Sequence, residues 1–264
     1  MLRLPTVVFY HGGTIGDLDI KDATSRAHAL QAEAIVVSVD YRLAPEHRYP
    51  AAVEDCWAAL RWVGEHAGAL GGDPRRIAVA GGSAGANLAA VMTQLARDNG
   101  GPTLRFQLLW YPSVTADLAL PSFTERAHMP VLDTEAVAAF WACHRPGIDL
   151  GQTQSASDHT GAGECRKLRR AAVGVFGVAE DDPLRDDRAC YAERLAADGV
   201  AVKLQGAFPH PRLTLASPPL FRPPLTRWPG VSRRSNRHCT ASRVGCVEPG
   251  RLGRARPSRC KPPR

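Results

Sequence analysis

Five consecutive residues, Gly81-Gly82-Ser83-Ala84-Gly85, carry the clearest chemical signal in the chain. They form a G-x-S-x-G pattern between a short apolar run, Ile77–Ala80, and an amphipathic stretch, Ala84–Arg97, with Leu88, Val91, Met92 and Leu95 on one face. Small residues on both sides of a serine allow a sharp, strained strand-to-helix turn. That turn lifts the hydroxyl to the C-terminal edge of a sheet, at the positive end of a helix. Ser83 is therefore the expected nucleophile. A structural serine in a glycine-rich turn is the plain alternative, and the flanking strand and helix patterns argue against it.

A serine hydroxyl attacks poorly unless a base removes its proton, so the turn predicts an acid and a histidine downstream in the order Ser, Asp/Glu, His. Of the nine histidines, only His210 and His238 follow the last recognisable strand. His238 lies deep in an arginine-rich segment, whereas His210 comes six residues after Leu204, within reach of a post-strand loop. The acid should follow the preceding strand. Asp181, Asp182, Asp186 and Asp187 all crowd that point, and spacing alone does not choose among them.

These residues need a scaffold, and the chain has one written as short apolar runs alternating with helical periods, the pattern of a mostly parallel sheet covered by helices on both faces. Strands are expected at Thr6–Tyr10, Ala34–Asp40, Ile77–Ala80, Phe106–Tyr111, Ala172–Ala179 and Val200–Leu204. Helices are expected around Ala23–Gln31, from Pro50 with Val53, Trp57, Leu60 and Val63 on one face, at Ala84–Arg97, and at Asp187–Asp198. Residues 113–168 form an excursion with one helical patch, Asp133–Cys143, and a stretch rich in Gly, Ser and Thr. Residues 77–96 are free of charge, but glycines and polar residues interrupt them, so they read as strand, turn and helix and not as a membrane span.

Four blocks occur in a fixed order: His11-Gly12-Gly13, then Tyr41-Arg42-Leu43-Ala44-Pro45-Glu46-His47, then Gly82-Ser83-Ala84-Gly85, then Asp182-Pro183-Leu184-Arg185-Asp186. Over roughly residues 5–207 the chain resembles the hormone-sensitive-lipase family of α/β-hydrolases, esterases acting on short acyl esters. The resemblance implies an α/β-hydrolase fold and makes Asp182, followed by Pro-Leu, the acid. It also implies an oxyanion hole from the N–H groups of Gly12, Gly13 and Ala84. Tyr41 to His47 would brace the site, with Arg42 and Glu46 as an ion pair, and His11 would orient its loop.

The chain departs from the family pattern in four places. Gly13 runs directly into Thr14-Ile15, where the family has a third glycine and an aromatic. Gly82 stands where Asp is usual and Ala86 where Gly is usual. The family's N-terminal lid helices and leading strands have no counterpart ahead of Thr6. The family's Gly-x-x-His-Gly-Phe appears as Gly206-Ala207-Phe208-Pro209-His210-Pro211.

The 264 residues, 44% hydrophobic and 22% charged, suffice for one full core. A formal net charge of +7 suggests nucleic acid until it is divided along the chain. Residues 211–264 hold thirteen of the 33 basic residues and one of the 26 acidic ones, leaving 20 basic and 25 acidic in residues 1–210, a net of −5. The expected organisation is an α/β-hydrolase domain at 1–210 and a basic, Pro/Arg-rich disordered tail at 211–264. The tail's Arg/Pro/Gly/Ser bias is also what an out-of-frame reading of a GC-rich gene would produce.

Seven cysteines, an odd number with no C-x-x-C pair, argue against a disulfide framework or a zinc ribbon and for a reducing, cytoplasmic setting. The combined expectation is a serine carboxylesterase for short-chain acyl esters. It would need no metal or organic cofactor, with a small ester as its partner and no nucleic acid or stable membrane insertion. A non-catalytic or decayed small-ligand binder on the same fold is the alternative.

Overall fold

A computed structural model of the chain describes residues 3–13, 18–147, 172–179, 181–208 and 244–247. Its centre is a seven-stranded sheet in the order β6-β5-β4-β3-β1-β2-β7, in which every described pairing is parallel. The strands are β1 (Leu4–Tyr10), β2 (Ile35–Val39), β3 (Gly72–Gly82), β4 (Leu104–Trp110), β5 (Val173–Ala179), β6 (Val202–Phe208) and β7 (Val244–Val247). Parallel neighbours cannot be joined by a tight turn, and the crossovers from β1 to β2, β2 to β3, β3 to β4 and β5 to β6 each carry a helix that covers a sheet face. The helices are α1 (Leu18–Ala32), α2 (Ala51–His66), α3 (Ala84–Asp98), α4 (Pro121–Glu125), α5 (Thr134–His144) and α6 (Arg185–Ala197).

Strands covered on both faces need apolar side chains at consecutive positions. β1 and β2 show this, with residues 5–10 and all of 35–39 buried. Alternate side chains then feed two cores. Val8, Tyr10, Val37, Ile77, Val79, Leu109 and Phe176 pack with Leu60 and Val63 of α2, Leu88 and Met92 of α3, and Tyr191 and Leu195 of α6. Val7, Phe9, Val36, Ala78, Ala80, Leu108 and Trp110 form the core on the other face, with Ala29 and Ala32 of α1 against it. A third cluster, Ala116, Phe123, Val137, Trp141 and Leu184, joins α4 and α5 to the turn that precedes α6. Asp133 caps α5, its Oδ1 accepting from Ala136 N at 2.7 Å.

The register aligns the strand ends that matter. Tyr10 pairs with Gly81, Gly82 with Trp110, Trp110 with Gly177, and Ala179 with Phe208. The loops after β1, β3, β4, β5 and β6 therefore all leave from one edge of the sheet. The chain runs outward from β1 to β2 and then returns to the other side of β1 as β3. This makes the β1/β3 boundary the point where strand order reverses, the crevice in which open α/β sheets bind ligands.

The expected elements are present with shifted ends. β3 begins at Gly72 and not Ile77, β6 extends to Phe208, and α1 begins at Leu18. β4 ends one residue before the expected Tyr111, because Tyr111 has φ of +35° and cannot continue a strand. Two elements were not anticipated. One is the single-turn α4 in the excursion. The other is β7, four residues inside the segment expected to be a disordered tail, which pairs with β2 from Val36↔Val244 to Val39↔Val247. Among the described residues, no helix is long and apolar enough to cross a membrane.

His28 gives this core a pH signature. It projects from α1 into the apolar cluster between Phe9, 5.4 Å away, and Trp110, 6.5 Å away, and its Nε2 has no hydrogen-bond partner among the described residues. Burial lowers its pKa from 6.5 to about 4. The folded state thus binds the proton less readily than the unfolded chain, so stability is full above pH 6.5 and is lost as pH falls toward 4. His28 should account for about 3 kcal/mol of acid destabilisation across that window. Urea denaturation of wild type and His28→Leu at several pH values checks this: the variant should lose that part of the slope, and an unchanged slope would contradict it.

Candidate active site

The β3–α3 turn is built from glycines because backbone occupies the space that side chains would need. A β-carbon on Gly81 would lie 2.3 Å from Gly85 O, and one on Gly85 would lie 2.1 Å from Tyr10 O and 2.4 Å from His11 O. Real β-carbons do not approach so closely, so the G-x-S-x-G spacing is a packing requirement. At its apex Ser83 has φ 54° and ψ −119°, a left-handed conformation that costs a non-glycine residue of order 1–3 kcal/mol. Surrounding contacts hold it there: Ser83 N donates to Trp110 O at 2.9 Å, and Ser83 O accepts from Ala86 N and Asn87 N as α3 begins. Asn87 Nδ2 in turn donates to Ser113 O at 2.6 Å, fixing the loop after β4 to α3.

The expected oxyanion loop lies directly against this turn. A β-carbon on Gly12 would be 2.3 Å from Gly82 O and 3.4 Å from Ser83 Cβ, so only glycine lets the post-β1 loop come so near. Gly13 follows with φ of +96°, and Thr14 lies outside the described residues. Ala84 is the first residue of α3, a position whose N–H has no acceptor within its own helix. Gly12, Ser83 and Ala84 are thus adjacent, and the positive end of α3 faces the same spot.

Behind Gly12, His11 is fully buried and stacked on Tyr41 at 4.4 Å, and Tyr41 Oη donates to His11 O at 2.5 Å. The expected Arg42–Glu46 ion pair is not what holds the Tyr41 loop. Arg42 Nε and Nη2 bind both oxygens of Asp55 at 2.8 and 2.9 Å, and Arg42 N donates to Asp55 Oδ2 at 3.0 Å. Asp55 sits on α2, so the planar guanidinium clamps the loop to a helix and not to its own next turn.

Four acids follow β5 and the structure gives them different surroundings. Asp181 is half-exposed and faces Arg126 at 3.4 Å. Asp182 is fully buried, its Oδ1 accepts from Leu184 N at 3.0 Å, and its Oδ2 lies 3.9 Å from the buried Arg188 Nη1. Asp186 accepts from Arg185 Nε at 2.8 Å and from Ser122 N at 2.9 Å. Asp187, fully buried, accepts from Val114 N at 3.0 Å and Thr115 N at 2.7 Å. Burial pushes the Asp187 carboxyl up to about 8, the amide bonds from Thr115 and Val114 pull against that, and the charge of Asp182 adds to it. Asp186 and Asp187 therefore hold the excursion onto α6, while Asp182 occupies the turn leaving β5. His210, two residues past the end of β6, lies outside the described residues, as does His238.

Two residues beside the site were not singled out by sequence reasoning. Asp55 carries no motif of its own, and its partner is thirteen positions away. Tyr111 was read as the end of a strand, yet its hydroxyl lies 3.2 Å from where a β-carbon on Gly82 would be. Among the described residues, no group of three or more His, Cys, Asp and Glu is arranged to hold a metal ion.

A doubly covered parallel sheet with a left-handed serine at a strand-to-helix turn defines the α/β-hydrolase class. Comparison with known proteins agrees: a family model described as alpha/beta hydrolase fold matches residues 7–207, and the chain belongs to that family. The chain is 59% identical over 212 residues to "Carboxylesterase NlhH" of Mycobacterium tuberculosis, covering 76% of this chain and 64% of that protein. It is 52% identical over 205 residues to "Esterase LipI" of the same organism, covering 77% of this chain and 63% of that one. Among solved structures, a hyperthermophilic esterase from Pyrobaculum calidifontis superposes with a TM-score of 0.72 at 37% identity, covering 83% of this chain and 72% of that chain. The resemblance drawn from the motifs stands, and the chain spans less than two thirds of the length of these two curated relatives.

The close approaches predict the cost of filling them. Gly12→Ala and Gly85→Ala should each destabilise the protein by about 1–3 kcal/mol, because backbone and not a movable side chain must give way. For a domain of this size that is a fall of roughly 2–4 °C in Tm per kcal/mol. Thermal denaturation measures it, and an unchanged Tm in both variants would show that the loop is not packed on the turn as described.

Proposed function

We propose that this chain is the catalytic domain of a serine carboxylesterase that hydrolyses short-chain acyl esters. The observation that carries the proposal is Ser83, held at φ 54° at the start of α3 with Gly12 packed against it. In the proposed mechanism, Ser83 Oγ attacks the ester carbonyl while His210 takes its proton. Asp182 holds the imidazole in the productive tautomer and stabilises its cation. The N–H groups of Gly12, Gly13 and Ala84 receive the charge that develops on the carbonyl oxygen. His210 then protonates the leaving alcohol, and water, deprotonated by the same histidine, releases the acid and restores Ser83.

Several observations support this assignment. The names of the relatives, carboxylesterase and esterase, agree with the reaction type. Asp182 is buried in the turn leaving β5, the strand beside β4, and in the sequence His210 follows the end of β6 by two residues. The chemistry uses only groups of the chain itself. Among the described residues Cys56, Cys143 and Cys190 are free thiols, which fits the proposed cytoplasmic setting.

A short-chain nitrophenyl ester gives the direct assay. Ser83→Ala should lower kcat by about 10⁴ to 10⁶, because no acyl-enzyme can form without the hydroxyl. His210→Ala should likewise abolish turnover and His238→Ala should leave it intact. Turnover that survives Ser83→Ala would overturn the mechanism. A folded wild-type protein that neither turns over the ester nor reacts with a fluorophosphonate would point to the ligand-binding alternative.

A further inference from the structure

We infer that Tyr111 is a positioning residue for the turn that carries Ser83, its hydroxyl packed against Gly82, the residue that Gly12 also approaches. The inference rests on the esterase reading above and adds to it a residue that no motif marks.

The backbone supplies the first part of the argument. Side chains in a strand alternate between faces, so Trp110 and Tyr111 should point to opposite sides of the sheet. Both pack against the same cluster instead, on the face lined by Val7, Phe9 and Leu108, because φ at Tyr111 is +35°. A bulky residue in that region is strained, and such strain persists only where the surroundings over-determine it. Here three contacts do so: Tyr111 N donates to Gly177 O at 3.0 Å, Trp110 O accepts from Ser83 N at 2.9 Å, and Ser113 O accepts from Asn87 Nδ2 at 2.6 Å. The strained residue is thus tied to β5 on one side and to the turn and α3 on the other.

The second part is where the side chain ends. At the position of a β-carbon on Gly82, Tyr111 Oη is 3.2 Å away, Cζ 3.5 Å and Cε2 3.6 Å. Gly12 approaches the carbonyl of the same residue, and a β-carbon on it would be 2.3 Å from Gly82 O. Gly82 is therefore approached by both Gly12 and Tyr111, and the N–H of the Gly82–Ser83 peptide is taken by Trp110 O. An error of about 1 Å in the placement of a reacting group can cost on the order of 10²-fold in rate. A hydroxyl that limits the movement of this peptide acts on kcat and not on substrate affinity.

Tyr111→Phe removes the hydroxyl and keeps the ring. The variant should show kcat about tenfold lower with KM within twofold, the scale of a displacement smaller than about 1 Å. Phosphonylation of Ser83 by a fluorophosphonate, followed by mass spectrometry, should slow by the same factor while Tm stays within about 2 °C. Gly82→Ala places a methyl group against the hydroxyl, so it should slow labelling more in the wild-type background than in Tyr111→Phe. Equal labelling rates and kcat in wild type and Tyr111→Phe would overturn the inference. So would a rise in KM that accounts for the whole loss. Wild-type protein that is not labelled at Ser83 would overturn the nucleophile assignment itself, which separates the two failures.

Discussion

The structure depends on one close contact: the backbone leaving β1 lies against the turn between β3 and α3 with no room for side chains between them. Gly12 meets the carbonyl of Gly82, and Gly85 meets the carbonyls of Tyr10 and His11. The contact exists because β1 and β3 are neighbours in register, Tyr10 beside Gly81, so their following loops must share one small space at the sheet edge. It brings the expected oxyanion N–H groups beside Ser83 by means of the strand pairing itself. The left-handed backbone of Ser83 is the strained consequence, and the buried strands and α3 supply the free energy that sustains it.

Other loops at that edge are each fastened to a rigid element by polar groups. Arg42 holds the Tyr41 loop to α2 through both oxygens of Asp55, and Tyr41 stacks on His11. Asp187 holds the start of the excursion through the amides of Val114 and Thr115. Ser122 Oγ donates to Pro183 O at 2.6 Å, which ties α4 to the turn containing Asp182. Such bonds are strong where both partners are desolvated together, and leaving one partner unpaired is costly. These loops are thereby anchored to helices.

Legibility in the sequence follows the range of each interaction. The turn at Ser83 is readable because its constraint is local: five adjacent residues, small where backbone crowds them. The central strands are readable as apolar runs because burial on both faces demands them. Arg42 misleads because Glu46 is near in sequence, while Asp55 becomes its neighbour only once α2 has folded back. Tyr111 is invisible because a positive φ in a tyrosine has no sequence mark and arises from contacts with β5 and α3. β7 is missed because it is four residues long inside a segment rich in Arg and Pro, and its pairing partner β2 lies more than 200 residues earlier in the sequence. For the acid, composition offers four adjacent candidates, and their separation into different surroundings is a property of the packed excursion.

The central claim is that Ser83 is presented as a nucleophile that forms an acyl-enzyme. Rapid-quench mass spectrometry with a slowly hydrolysed short-chain ester tests it most directly. The account predicts a burst in which the protein gains the mass of one acyl group, located on the peptide that contains Ser83, and then loses it as water completes the reaction. Turnover with no acylated protein, or an acyl group carried by a residue other than Ser83, would contradict it.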